Sequence, residues 1–79
     1  MEKTPKEGQV YQHYKHGALY EIILIAEDVD TLDMCVVYKQ IPRSEDEEVS
    51  PRPWTRSKKK FMEDIEINGQ TIPQYVRIS

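Results

Sequence analysis

Residues 10–26, VYQHYKHGALYEIILIA, restrict the fold more than any other part of the chain. Polar and apolar residues alternate at first, placing Val10, Gln12 and Tyr14 on one face of a strand and Tyr11 and His13 on the other. KHGA at 15–18 makes a turn in which Gly17 is free to take a positive φ. Residues 19–26 alternate and then run apolar without a break, the pattern of a strand covered on both faces. Their β-branched content, and the glycine turn before them, favour strand over helix. Tyr11, Tyr14, Tyr20, His13, His16 and Lys15 all fall within this stretch, so it holds the apolar heart and much of the unusual polar chemistry.

The remaining segments supply more sheet or charged connections. Residues 27–33 (EDVDTLD) form an acidic link, and 34–40 (MCVVYKQ) a third strand that Pro42 is placed to end. If that strand alternates, Cys35 and Val37 share one face, and Met34, Val36 and Tyr38 the other. Residues 42–53, with four consecutive acids and three prolines, cannot bury apolar surface and read as a mobile loop or hairpin arm. The chain re-enters the core at Trp54. Ser57 can cap a helix over SKKKFMEDI, but lysines at its positive end and acids at its negative end oppose the helix dipole and limit it to one turn. Asn68-Gly69 between IEI and QTI is a type I′ hairpin signal that sets Ile67 opposite Gln70 and Ile65 opposite Ile72. Pro73 puts that last strand at an edge or near its end.

Five or six short strands and one helical turn make the chain all-β. In 79 residues, the expected way to hide the edges of a strongly bent antiparallel sheet is closure into a small SH3-like barrel. This length allows one domain, read as 8–76 with tails at 1–7 and 77–79. A net charge of −3 argues against a nucleic-acid coat protein, while leaving room for a local basic patch. The single Cys35 cannot make an internal disulfide. The amino-terminal residues lack the apolar core of a signal peptide, and no apolar run approaches the ~20 residues of a membrane span. The expectation is a soluble cytoplasmic protein, monomer or homodimer.

Catalytic patterns are weak, and no catalytic residue is assigned. His13 and His16 lack a third ligand at a spacing typical of zinc, and Asp28, Asp30 and Asp33 lack the glycine and terminal glutamate of a calcium loop. Phosphate-cradling glycine loops are absent, and no metal or cofactor is expected. An accessory enzyme would need Cys35 or a serine beside a histidine, such as His13, whereas a thiol in an apolar strand is ordinarily inert. A binding surface fits the residues better. His13, Tyr14, Lys15, Tyr38, Trp54 and Arg56 combine aromatic faces with cationic donors, which suits an anionic, ring-containing small molecule such as a nucleotide. The bland alternative makes the aromatics core and the cations their cover. A second candidate is the basic strip Arg52, Arg56, Lys58, Lys59 and Lys60, which would serve a protein or nucleic-acid partner.

Tyr11-x-His13-Tyr14-Lys15, Tyr20-Glu21-Ile22, Val36-Val37-Tyr38, Trp54-x-Arg56, Phe61 and the Asn68-Gly69 hairpin ending in Ile72-Pro73 together resemble the small bacterial and phage domain of unknown function 1653, across residues 8–76. The chain departs from that pattern in three places: His16 lengthens the turn before Gly17, Ser57 stands where a proline is usual, and the 42–53 loop is longer and more acidic. The resemblance implies the fold and brings no activity with it. It also leaves open a purely structural or accessory role.

Overall fold

The computed structural model describes residues 4–79. Seven strands and one helical turn follow in the order β1 (Val10–His13), β2 (Leu19–Glu27), β3 (Met34–Ile41), β4 (Trp54–Ser57), α1 (Lys58–Phe61), β5 (Asp64–Ile67), β6 (Gln70–Pro73) and β7 (Tyr75–Arg77). All pairings are antiparallel. They build a five-stranded sheet in the order β4-β3-β2-β1-β7 and a separate β5-β6 hairpin.

Local signals account for most of these elements. Asn68 and Gly69 have φ of 52° and 78°, as a type I′ turn requires, and Ile65 pairs with Ile72 and Ile67 with Gln70. The Ser57 side chain accepts the Lys60 N–H at 3.1 Å, and α1 stops after one turn. Gly17 takes φ +72° between β1 and β2.

The all-β class holds, but the expected barrel closure is not shown: β4 and β7 end the sheet at opposite sides and no ladder joins them among the described residues. The concave face is plugged by a side chain instead of a strand. Phe61, 1% exposed, projects from α1 into a core of Tyr11, Ala18, Tyr20, Ile22, Val36 and Tyr38. β2 also departs from the expected cover on both faces. A bulge between Ile22 and Leu24 adds a residue, so Ile22 and Ile25 both face the core while Leu24 is 41% exposed. The unbroken apolar run therefore reflects a change of phase and not cover on both faces. β7 is a strand the sequence did not announce. It pairs with β1, setting Tyr75 beside His13 and Arg77 beside Tyr11, and the ladder extends to Val10 N–H donating to the Ser79 carbonyl at 3.0 Å.

The 42–53 loop joins β3 to β4 as a hairpin arm. Arg43 grips Glu47 through Nε and Nη2 and sends Nη1 to the His16 carbonyl at 3.1 Å, tying the loop to the β1–β2 turn. No helix among the described residues is long and apolar enough to cross a membrane.

Candidate functional site

Residues directly opposite one another in an antiparallel sheet share a face. The register therefore collects Tyr11 and His13, Tyr20 and Ile22, Val36 and Tyr38, Trp54 and Arg56, and Tyr75 and Arg77 on the concave side. Tyr20 packs among the other rings, with centroids 5.4 Å from Tyr38, 5.7 Å from Tyr75 and 5.8 Å from Trp54. The first two contacts are edge-on, the geometry that aromatic quadrupoles favour. Tyr75 in turn lies flat on Phe61, at 4.4 Å and 6°.

The six residues expected to bind a ligand differ in exposure. Tyr38 is 3% exposed and enclosed by Tyr20, Trp54 and Phe61, so it has no free face on which a ring can stack. Burial, and then the neighbouring Tyr75 phenol, push its hydroxyl well above the usual tyrosine range. Trp54 and Tyr14 are 40% and 37% exposed and do present open rings. His13 lies beside Tyr14, tilted against it at 4.8 Å, and edge-on to Tyr75 at 5.2 Å. Lys15 is exposed in the turn.

Both histidines are held in one tautomer by the turn. His13 Nδ1 accepts the Lys15 N–H and His16 Nδ1 accepts the Ala18 N–H, each at 3.2 Å, so in the neutral rings the proton sits on Nε2. The rings stack at 4.0 Å and 1°. Partial burial, then the charges of His16, Arg56 and Lys15, hold the His13 pKa below its ordinary value. Arg56, half-buried, acts electrostatically on His13, Tyr20 and Tyr38, and no carboxylate lies within ion-pair distance of it among the described residues.

The other candidates fare differently. The basic strip splits: Arg56 faces the tyrosines, Lys59 and Lys60 are exposed on α1, and Arg52 is exposed in the loop. Lys58 lines a separate small recess of about 410 Å3 with Lys59, Asp33 and Met34. Cys35 is half-buried on the convex face, opposite Ala26 and Ser57, whereas His13 is on the concave face, so they make no nucleophile–base pair. Asp28 serves its own loop, its Oδ1 accepting the N–H groups of Asp30 and Thr31.

Tyr20 and Tyr75 are the members that sequence reasoning missed. Tyr20 was legible as an inward strand residue, whereas Tyr75 belongs to the face only through the β1–β7 pairing. A larger cleft, about 790 Å3, lies at the other end of the same face, floored by Tyr11, Phe61 and Tyr75 and edged by Pro5, Lys6 and Arg77. None of the six expected ligand residues lines it.

The sequence matches the family described as a protein of unknown function, DUF1653, over residues 9–77. The fold is similar to a crystal structure of a protein of that family from Bordetella bronchiseptica, with a TM-score of 0.71 and 22% identity, covering 91% of this chain and 86% of that one. No curated protein matches.

Proposed function

The chain belongs to the DUF1653 family, whose function is not known, and on that premise we propose that it is a binding module for an anionic, ring-bearing small molecule of nucleotide-like chemistry. The observation that carries this reading is Arg56, a half-buried guanidinium among phenols and a neutral imidazole with no carboxylate to neutralise it among the described residues. A phosphate or carboxylate would complete it, and a planar guanidinium matches such groups with two donors. His13 Nε2–H and the exposed Lys15 ammonium add donors on one side, and the open faces of Trp54 and Tyr14 offer stacking surfaces for a ring.

The test is a thermal-shift screen against nucleotides, cyclic dinucleotides, ADP-ribose derivatives and phosphorylated metabolites. Ligand at 100 times Kd adds about 2.7 kcal/mol to stability, on the order of 10 °C or more in a domain this small. The expected result is a shift that Arg56→Met removes while the variant stays folded. A shift that survives Arg56→Met overturns this assignment. Steeply salt-dependent binding of oligonucleotides, lost when Lys58, Lys59 and Lys60 become glutamine, would favour the basic strip instead.

A further inference from the structure

We propose a second binding site, distinct from the first: the outer edge of β7 and the adjoining cleft take an extended peptide as an added strand, with an acidic side chain at Arg77 and an apolar one two residues later at Tyr75. Hydrogen-bond parity carries the first half of this. Tyr14 N–H donates to the Gln74 carbonyl and Ile78 N–H to the Val10 carbonyl, so Val76, opposite Gln12 between them, points its backbone groups at β1, while the Gln74 N–H turns away to the Glu63 carbonyl. Tyr75 and Arg77 therefore aim both N–H and C=O outward, and no ladder occupies that edge among the described residues. Proteins commonly blunt an edge by keeping it short and charged, and three residues with one arginine fit that description. This edge differs in having a cavity beside it.

The cavity sets the second half. Its ≈ 790 Å3 falls within the range of ligand sites, and its floor is the aromatic surface of Phe61, Tyr11 and Tyr75. A residue opposite Arg77 and one opposite Tyr75 in an antiparallel peptide would both turn their side chains to the concave face and thus to the cleft. The former meets the Arg77 guanidinium, with Lys6 also on the rim; the latter meets the rings of Tyr75 and Phe61. The one acid on the rim, Asp64, lies on the hairpin side, paired with Pro73. Thr4 Oγ1, buried at the wall with no hydrogen-bond partner among the described residues, leaves a hydroxyl for a polar group of the peptide. Antiparallel geometry fixes the order as acid-x-apolar from N to C terminus.

The probe is a fluorescein-labelled Thr-Glu-Thr-Leu-Thr peptide, blocked at its C-terminus and followed by anisotropy against the whole protein. Saturable binding is expected, weakened at least tenfold by N-methylation of the Glu or the Leu amide and less than twofold by N-methylation of the Thr between them. Replacing the peptide's Glu by Lys should weaken binding by a similar factor, and Arg77→Glu should reverse that preference. No binding of the parent peptide, equal weakening at all three amides, or a dimer of the protein that excludes the peptide would overturn the proposal.

Discussion

His13 is where sequence, geometry and electrostatics meet most closely. Its Nδ1 is committed to the Lys15 N–H, and burial and neighbouring cations lower its pKa, so the folded protein resists protonating it. The unfolded chain takes up that proton near pH 6.5. Unfolding therefore binds protons, and stability falls as pH drops from 6.5 through the depressed folded value. Denaturant titrations between pH 7.5 and 5 should show this loss, with the slope reduced in His13→Gln; an unchanged slope would assign the dependence to other groups. Asp28 and Glu47 act lower. Backbone N–H donors hold the Asp28 carboxyl below its ordinary range, and the Arg43 side chain does the same for Glu47, so their contributions persist above the carboxylate range and are lost only in stronger acid.

At the scale of elements, the single turn α1 matters out of proportion to its length because Phe61 is its last residue. No acid stands in the first turn of α1 to complement the helix dipole, which leaves the Ser57 cap as the main support of its amino-terminal end. Ser57→Ala should cost about 1 kcal/mol in denaturant unfolding, while Ser57→Asp should restore most of it. A cost near zero for Ser57→Ala would mean that packing of Phe61 alone holds the turn. The β1–β2 turn shows the same economy of parts: Gly17 supplies the left-handed backbone, and Arg43 reaches from the distant loop to the His16 carbonyl. The strip of cations that looks continuous in sequence is broken here, because Arg56 is in a strand facing the core and the lysines are on the helix beyond it.

For the whole molecule, Phe61 takes the place of the strand closure that a barrel would have. It touches Tyr11, Tyr38 and Tyr75 and is 1% exposed. A chain of this size has a total stability of roughly 4–12 kcal/mol, and a buried phenylalanine truncated to alanine costs about 3–5 kcal/mol. Phe61→Ala should therefore leave a marginal protein with a greatly lowered denaturation midpoint, reported by Trp54 fluorescence. A loss below about 1 kcal/mol would show that the sheet is held without its plug.

What the sequence determined by itself is what consecutive residues encode. Alternation assigned the faces of β1 and β3, Asn-Gly set the register of β5 and β6, and a serine before three lysines marked a one-turn helix. Such signals depend on φ preferences and on side-chain period, and both are local. Tertiary structure decided the rest. β7 is three residues after a proline, too short to carry a period, and becomes a strand only because β1 offers it a ladder. The bulge that exposes Leu24 follows from matching β2 to β3. Of the ligand residues read from sequence, Tyr14, Lys15 and Trp54 are exposed and His13 and Arg56 half-buried, while Tyr38 became core because Tyr20, Trp54 and Phe61 close around it. Which rings enclose one another, and which cation is drawn in among them, are settled by contacts between residues far apart in the chain, and no local pattern records them.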